Sequence, residues 1–418
     1  MQVKIKPAKP CGEVFAIASK SDAHRAIIAA ALADKKTKIS ISHLSKDIEA
    51  TLNCIQNMGA EYEKIGDIYE ITPIKKLIKN PTLDCFESGS TLRFLLPVLA
   101  CLGEGATFVG SGRLPERPME IIVDLLSLHG NEFSSSSLPI TVSKKTLPGT
   151  FEIAGNVSSQ YISGLLFALP LLSKESKILL TSNLESSAYV DLTIDVLKRF
   201  GGDTKRCGDE FLISPIGTYK SPGHYQVEGD WSNAAFLLVL GALGGNVSVR
   251  NLNLKSYQSD KLILDVLKLA NAKVNITDDL ITVSKSELKP FDFDVSQCPD
   301  LFPVMSILAC GALGKSTLYN AKRLRIKESD RIKTTKELIL NLGGKVKETE
   351  DSLTIFGTGR LFGGTVNSAN DHRIAMSAFV AGAISDSEIV LEGAEAINKS
   401  YPSFMEDFKK VGGYVDVI

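Results

Sequence analysis

Neither sign of charge predominates in this sequence: 47 Lys and Arg stand against 48 Asp and Glu, a formal net charge of −1. So balanced a chain has no overall field to gather a polyanion. Bulk charge therefore gives no reason to expect DNA or RNA, and leaves open a small anion in one basic pocket. Long hydrophobic runs are missing as well. The opening M-Q-V-K-I-K-P-A-K-P alternates polar and apolar residues, so no signal peptide is expected. The longest apolar stretches, such as residues 301–313, fall short of the roughly 20 residues needed to cross a bilayer. Closely paired cysteines are absent too. The seven, at 11, 54, 85, 101, 207, 298 and 310, are scattered, odd in number and never spaced C-x-x-C. That argues against a zinc site and predicts reduced thiols in a cytoplasmic protein.

What is present is internal repetition. At 418 residues, 44% hydrophobic and 23% charged, the chain reads as a soluble globular protein of two domains. One pattern recurs six times: an amphipathic helix, a small or turn-forming residue, then a short alternating strand. L-N-C-I-Q-N-M-G-A-E-Y-E-K-I and F-M-E-D-F-K-K-V-G-G-Y-V-D-V are the first and last copies. The turns fall near 59, 130, 201, 271, 343 and 412, in steps of about 70 residues. Glycine there suits the left-handed conformation past a helix end. The half-polar strands suit sheets with one wet face. Three units per domain is the natural grouping, with the Gly, Pro and Ser-rich residues 214–225 as the linker. The strand at residues 3–5 has no partner in the first unit and is expected to complete the second domain.

Polar clusters recur at the starts of helices. In A-S-K-S-D-A-H-R, Ser19 or Ser21 can cap an Ala-rich helix, with Lys20 at its N-terminus and Arg25 one turn inside. Backbone N–H groups, the helix dipole and two cations make an anion site. E-S-G-S-T-L-R repeats the design with Gly89 and Arg93. G-R-L-P-E-R-P-M stiffens a loop bearing Arg113 and Arg117 with two prolines, and the triplet Ser158, Ser159, Gln160 offers uncharged donors. In the second half, Asp300 opens an apolar helix, where it could serve as a simple N-cap. Asp371, His372 and Arg373 open another, and Lys399 sits in N-K-S-Y-P. In R-I-K-E-S-D-R-I-K, residues 325–333, helical spacing sets Lys327 and Arg331 at i and i+4, where like charges repel. An anion from outside would relieve that repulsion, while Arg325 and Lys333 read as ordinary solvated charges.

Taken in order, Lys20-Ser21 with Arg25, E-S-G-S-T-L-R, R-L-P-E-R-P, S-S-Q-Y, Y-V-D-L-T, I-K-E-S-D-R, N-D-H-R-I-A-M and N-K-S-Y-P resemble the 5-enolpyruvylshikimate-3-phosphate synthase family across the whole chain. The resemblance implies an α/β (α+β) fold, a two-domain inside-out α/β barrel of three βαβαββ repeats per domain. Residues 19–227 would form one domain, and residues 1–18 with 228–418 the other, with the active site in the cleft between them. It implies transfer of the enolpyruvyl group of phosphoenolpyruvate to the 5-hydroxyl of shikimate 3-phosphate, with loss of phosphate and no cofactor or metal. The implied partners are these two small molecules, not nucleic acid or membrane, and the implied state is a cytoplasmic monomer. Carried over by motif, Lys20, Ser21, Arg25, Ser158, Ser159, Gln160, Ser186, Tyr189, Asp300 and Lys327 would bind shikimate 3-phosphate. Lys20, Gly89, Arg117, Gln160, Arg331, Arg373 and Lys399 would bind phosphoenolpyruvate. Asp300 would be the base for the hydroxyl and Glu328 the acid toward the methylene carbon, with Lys20 beside them. The substrates' anionic groups explain the many cations, and anionic substrates would favour closure of two self-repelling halves.

Two positions depart from the family pattern. Glu87 stands where Asn is usual, and Phe94 follows Arg93 where Pro is common. Phe94 is expected to shift the helix behind Gly89 and so alter affinity for phosphoenolpyruvate and for mimics such as glyphosate. The nearest rival, a UDP-N-acetylglucosamine enolpyruvyltransferase, usually carries a reactive Cys a few residues before an Arg-Pro. Here no cysteine lies between Cys101 and Cys207. A non-enzymatic repeat ring binding nucleic acid is the other alternative, disfavoured by the neutral charge.

Overall fold

Backbone dihedrals reverse sign at the turns that the repeat pattern marks. Gly59, Gly130, Gly201, Gly343 and Gly412 have φ of 111, 96, 77, 78 and 83°, and Asn271 has 60°. These are left-handed values that glycine adopts freely and asparagine tolerates. The computed structural model describes residues 1–418. By contacts the chain divides into two compact units, Ala18–Val227, and Met1–Ile17 with Glu228–Ile418.

Each unit holds three four-stranded sheets of one design. In one, Thr82–Asp84 lies parallel to Ala106–Val109, which pairs antiparallel with Ile140–Ser143, which pairs antiparallel with Glu132–Phe133. The helices Gly89–Leu102 and Glu120–Leu128 fall between these strands along the chain, giving the βαβαββ order. Three sheets recruit a strand from far away in sequence. His224–Gln226 pairs with Thr37–Ser40, and Cys11–Phe15 with Asn246–Arg250. Gln2–Lys6 lies between Ile389–Glu392 and Tyr414–Val417. Residues 214–225, expected as the linker, lie inside the unit Ala18–Val227. Tyr219 is fully buried, its hydroxyl donating to the Phe167 carbonyl at 2.8 Å, and the Ser221 hydroxyl lies 2.7 Å from that of Thr37. Gly and Pro set the bends of a packed return segment there.

Sheet residues alternate between core and solvent, as in Thr150–Ile153. The cores fill with apolar helices: Lys20–Ala31, Gly89–Leu102 and Ser159–Ala168 in one unit, Trp231–Gly244, Phe302–Cys310 and His372–Ala381 in the other. Every residue of Trp231–Gly244 is buried, and each large apolar side chain so placed contributes about 1.5–3 kcal/mol. Packing is close enough to fix individual residues. A methyl added at Gly164 would sit 2.2 Å from the Arg93 carbonyl oxygen. Pro97, four residues on, has no N–H to give that carbonyl. Several of these buried helices begin at the polar motifs, so the fold brings charged N-termini to the ends of apolar rods. No helix is long and apolar enough to cross a membrane.

Candidate active site

In the unit Ala18–Val227 the cations are held individually. Ser19 caps the helix Lys20–Ala31 by accepting from Asp22 N. Lys20 Nζ lies 2.7 Å from Asp47 Oδ2, on the first turn of the helix Lys46–Met58. Arg25, only 3% exposed, donates from Nε to Thr193 Oγ1 (2.8 Å), from Nη1 to the Ser21 carbonyl (2.6 Å) and from Nη2 to the Tyr189 carbonyl (3.0 Å). Its guanidinium lies 4.9 Å from the centre of the Phe94 ring. Its hydrogen-bond partners are thus neutral oxygens beside a π face, and burial pulls its pKa down to about 10 although Tyr189 and Asp22 nearby favour its charge. Such a cation gains most from a phosphate that approaches it.

The second group in this unit surrounds Gly89. A methyl added there would lie 2.7 Å from Arg117 Nη1, so glycine is required for the guanidinium's close approach to the helix start. Gln160 accepts from Arg93 Nη1 (2.8 Å) and donates to Ser90 Oγ (2.9 Å). Arg93 Nη2 also donates to the Pro118 carbonyl, next to Arg117. Ser158 accepts from Gln160 N as the cap of Ser159–Ala168. Ser159 is buried beside it, and Ser186, in a left-handed conformation (φ 53°), stands before the helix Ser187–Arg199. The structure thus links Arg25 with Ser21 and Tyr189, and Gln160 with Ser90 and Arg93. It gives Ser158 a capping role alongside any other.

In the other unit, one guanidinium organises the cluster. Arg331, 1% exposed, donates from Nε to Asp371 Oδ2 (2.8 Å), from Nη1 to Asp300 Oδ1 (2.6 Å) and from Nη2 to Glu328 Oε2 (2.8 Å). Arg373 Nη2 reaches the second oxygen of Asp300 at 3.3 Å. Burial opposes the charge on Asp300, but Arg373, Arg331 and Lys327 outweigh it and hold its carboxyl well below the usual range. Burial lowers Lys327 to about 8 even though Asp300 and Glu328 favour its charge. Lys399 Nζ donates to the Asn370 carbonyl at 2.6 Å.

Three expectations about this cluster change. Asp300 caps nothing; it lies in the short 3-10 turn Pro299–Leu301, and its carboxylate goes to the two arginines. Lys327 and Arg331 do not share a helix, since Lys327 is extended and the helix starts at Arg331, with Asp330 as its cap. The repulsion around Arg331 is relieved by carboxylates of this chain, not left for an outside anion. Arg325 is no solvated charge either: it donates to Asp330 Oδ2 (2.9 Å) and to the carbonyls of Thr349 and Glu350. Lys333 is exposed. Sequence reasoning missed Asp47, Thr193 and the central role of Asp371, and it did not pair Arg93 with Gln160. Asp47 and Asp371 read locally as helix-start acids, and nothing local says which cation each meets. Phe94 proves to touch more than the helix behind Gly89, since its ring supports Arg25 and lies 5.6 Å from Phe167. Glu87 lies against the loop of Arg117, where a methyl at Gly112 would be 2.4 Å from its Oε2.

A family model for EPSP synthase (3-phosphoshikimate 1-carboxyvinyltransferase) matches residues 5–408. The 3-phosphoshikimate 1-carboxyvinyltransferase of Clostridium novyi (strain NT) is 41% identical, covering 99% of this chain and 98% of that protein. The chain belongs to the EPSP synthase family. A second relative of the same name, from Brachyspira hyodysenteriae, is 42% identical over 99% of this chain and 100% of its own length. An EPSP synthase structure from Acinetobacter baumannii superposes with a TM-score of 0.85 at 26% identity, covering both chains completely. As an EPSP synthase the chain is a transferase of the shikimate pathway, using phosphoenolpyruvate and shikimate 3-phosphate. A UDP-N-acetylglucosamine enolpyruvyltransferase is not favoured.

Proposed function

We propose that this chain adds the 5-hydroxyl of shikimate 3-phosphate to phosphoenolpyruvate and then eliminates phosphate, using the residues that its motifs single out. Arg25, with Lys20, Ser21, Ser158, Ser159, Gln160, Ser186, Tyr189 and Lys327, binds shikimate 3-phosphate. Gly89, Arg117, Gln160, Arg331, Arg373, Lys399 and Lys20 bind phosphoenolpyruvate. The observation that carries this reading is Arg331, held by three carboxylates while Arg373 shares one of them. A buried cation cluster already balanced by its own carboxylates can bind an anion only by exchanging partners. Phosphoenolpyruvate offers a phosphate and a carboxylate for that exchange.

The exchange has a chemical consequence. Asp300 is a poor base while two arginines hold it. When phosphoenolpyruvate draws Arg331 and Arg373, the carboxylate of Asp300 becomes more basic and can take the proton of the 5-hydroxyl. Glu328, released from the same guanidinium, becomes basic enough to take a proton from solvent and, so protonated, is the acid toward the methylene carbon. Its proton returns as the intermediate collapses and the C–O bond to phosphate breaks. We place the enzyme in a reducing compartment such as the cytoplasm, in keeping with its unpaired cysteines. The test is phosphate release from phosphoenolpyruvate with shikimate 3-phosphate, in parallel with UDP-N-acetylglucosamine. Release with the first acceptor is expected, and release with the second alone would overturn the proposal.

A further inference from the structure

His24 is a fully buried histidine that no substrate role requires. It lies on the helix Lys20–Ala31, between the cations Lys20 and Arg25. Its Nδ1 is 2.6 Å from Thr51 Oγ1 on the helix Lys46–Met58. Thr51 Oγ1 is 2.7 Å from Thr91 Oγ1 on the helix Gly89–Leu102. Thr91 Oγ1 in turn donates to Ser88 Oγ at 2.7 Å. Ser88 Oγ also accepts from Thr91 N at 3.2 Å, the bond that caps the helix beginning at Gly89. His24, Thr51, Thr91 and Ser88 are each no more than 1% exposed. The row therefore runs without water from the lysine and arginine helix to the residue before Gly89.

Physical chemistry fixes the direction of this row. His24 Nε2 is buried without a partner. Burial first, then Lys20 and Arg25, push the imidazole pKa well below its usual value, so the ring is neutral. A neutral ring puts its one proton on Nδ1 or Nε2, and an orphaned N–H is rarer in protein interiors than an orphaned acceptor. Nδ1 thus carries the proton and donates to Thr51. Thr51 has one proton and two candidate acceptors, Thr91 Oγ1 at 2.7 Å and the Asp47 carbonyl at 3.5 Å, and the shorter bond takes it. Thr91 then donates to Ser88, so Thr51 and Thr91 each receive and give in one sense. A single donor at His24 therefore sets the orientation of two hydroxyls in turn, ending on Ser88 Oγ as acceptor.

We propose that His24 is a positioning residue for phosphoenolpyruvate, acting through Thr51 and Thr91 on the Ser88 cap that holds Gly89 against Arg117. This rests on the reading of Gly89 and Arg117 as the phosphoenolpyruvate pocket. Without the His24 donor, Thr51 can turn its proton elsewhere and the Ser88 cap loses its fixed geometry. The phosphate pocket at Gly89 loosens, while the bonds of Arg25 to Ser21, Tyr189 and Thr193 do not pass through the row and remain.

The test is steady-state kinetics with each substrate varied in turn, with thermal unfolding of each variant alongside. His24→Leu removes the donor, Thr51→Val breaks the row at its middle with almost no change of shape, and His24→Asn keeps an N–H near the Nδ1 position. The KM for phosphoenolpyruvate should rise about tenfold in His24→Leu and Thr51→Val, the scale of one lost buried hydrogen bond, with less than about twofold change for shikimate 3-phosphate. His24→Asn should recover most of that loss. A purely structural histidine would lower the unfolding temperature without separating the two KM values. An unchanged KM for phosphoenolpyruvate in folded Thr51→Val, or equal rises for both substrates, would overturn the proposal. Arg117→Ala distinguishes the two layers of the argument. A rise there with none in Thr51→Val overturns the row alone, whereas no rise in either overturns the pocket assignment beneath it.

Discussion

Asp371→Asn removes one charge from a cluster in which Arg331, Arg373 and Lys327 face Asp300, Glu328 and Asp371. The amide keeps the size of the side chain and can still cap the helix His372–Ala381, so the perturbation is electrostatic. Arg331 loses the carboxylate that accepts from Nε at 2.8 Å and from Nη2 at 3.3 Å. Ser329 Oγ, which donates to the same carboxylate at 2.9 Å, loses a charged acceptor. Stranding a buried charge by deleting its partner costs about 3–5 kcal/mol. Asp300 and Glu328 still hold the guanidinium at 2.6 and 2.8 Å, which places the expected loss at the low end, about 3 kcal/mol. Asp371→Ala also deletes the cap and should lose about 1 kcal/mol more. Urea unfolding at pH 7, followed by circular dichroism, should show a midpoint lower by about 1 M for Asp371→Asn, given slopes of about 2–3 kcal/mol/M. The variant's cluster carries one more net positive charge, so added phosphoenolpyruvate should raise its midpoint by more than it raises that of the parent protein. A loss below about 1 kcal/mol, with the same response to phosphoenolpyruvate as the parent, would refute the reading of Arg331 as a charge held in balance by its carboxylates.

Other consequences are equally direct. Gly89→Ala places a methyl 2.7 Å from Arg117 Nη1 and should raise the KM for phosphoenolpyruvate by about tenfold or more while the protein stays folded, because the arginine can swing away. Phe94→Leu removes the π face under Arg25, and an interaction of about 0.5–2 kcal/mol predicts a rise of roughly 2- to 30-fold in the KM for shikimate 3-phosphate. If only constants for phosphoenolpyruvate and glyphosate move, Phe94 acts through the helix behind Gly89 instead. Lys327, with its pKa near 8 when folded, loses its charge as pH rises through that value, so the KM for shikimate 3-phosphate should climb above pH 8. The unfolded chain holds this proton up to a higher pH than the folded one, so the group's contribution to stability grows as pH rises from about 8 toward its ordinary value. Lys327→Arg, if active, should abolish both trends; a KM flat across this range in the parent protein would remove Lys327 from the site. Lys20→Ala and Glu328→Ala should each lose turnover, and Glu328→Ala should also lower the unfolding temperature because it strips one of three carboxylates from the buried Arg331; unaltered turnover in either would strike that residue from the mechanism.

Much of the protein was decided locally and is legible in its sequence. The six turns at Gly59, Gly130, Gly201, Asn271, Gly343 and Gly412 take positive φ because glycine and asparagine can, and a repeat spaced by about 70 residues displays them. Serines and aspartates before apolar runs mark helix starts because a cap bonds only two or three residues ahead, as Ser19 does with Asp22 and Asp330 with Lys333. What the tertiary structure alone decided is the choice of partners. Arg331 meets Asp300, 31 positions earlier, and Asp371, 40 later. Lys20 meets Asp47, and His24 reaches Ser88 through residues of two other helices. The charge run at 325–333 misled for the same reason: helical spacing says which side chains share a face only where a helix exists, and here the helix starts at Arg331. The sequence by itself determined where the charged helix starts lie, because capping and turn chemistry act over a few residues. Which carboxylate or hydroxyl each one meets depends on how distant segments pack, and only the tertiary structure decided that.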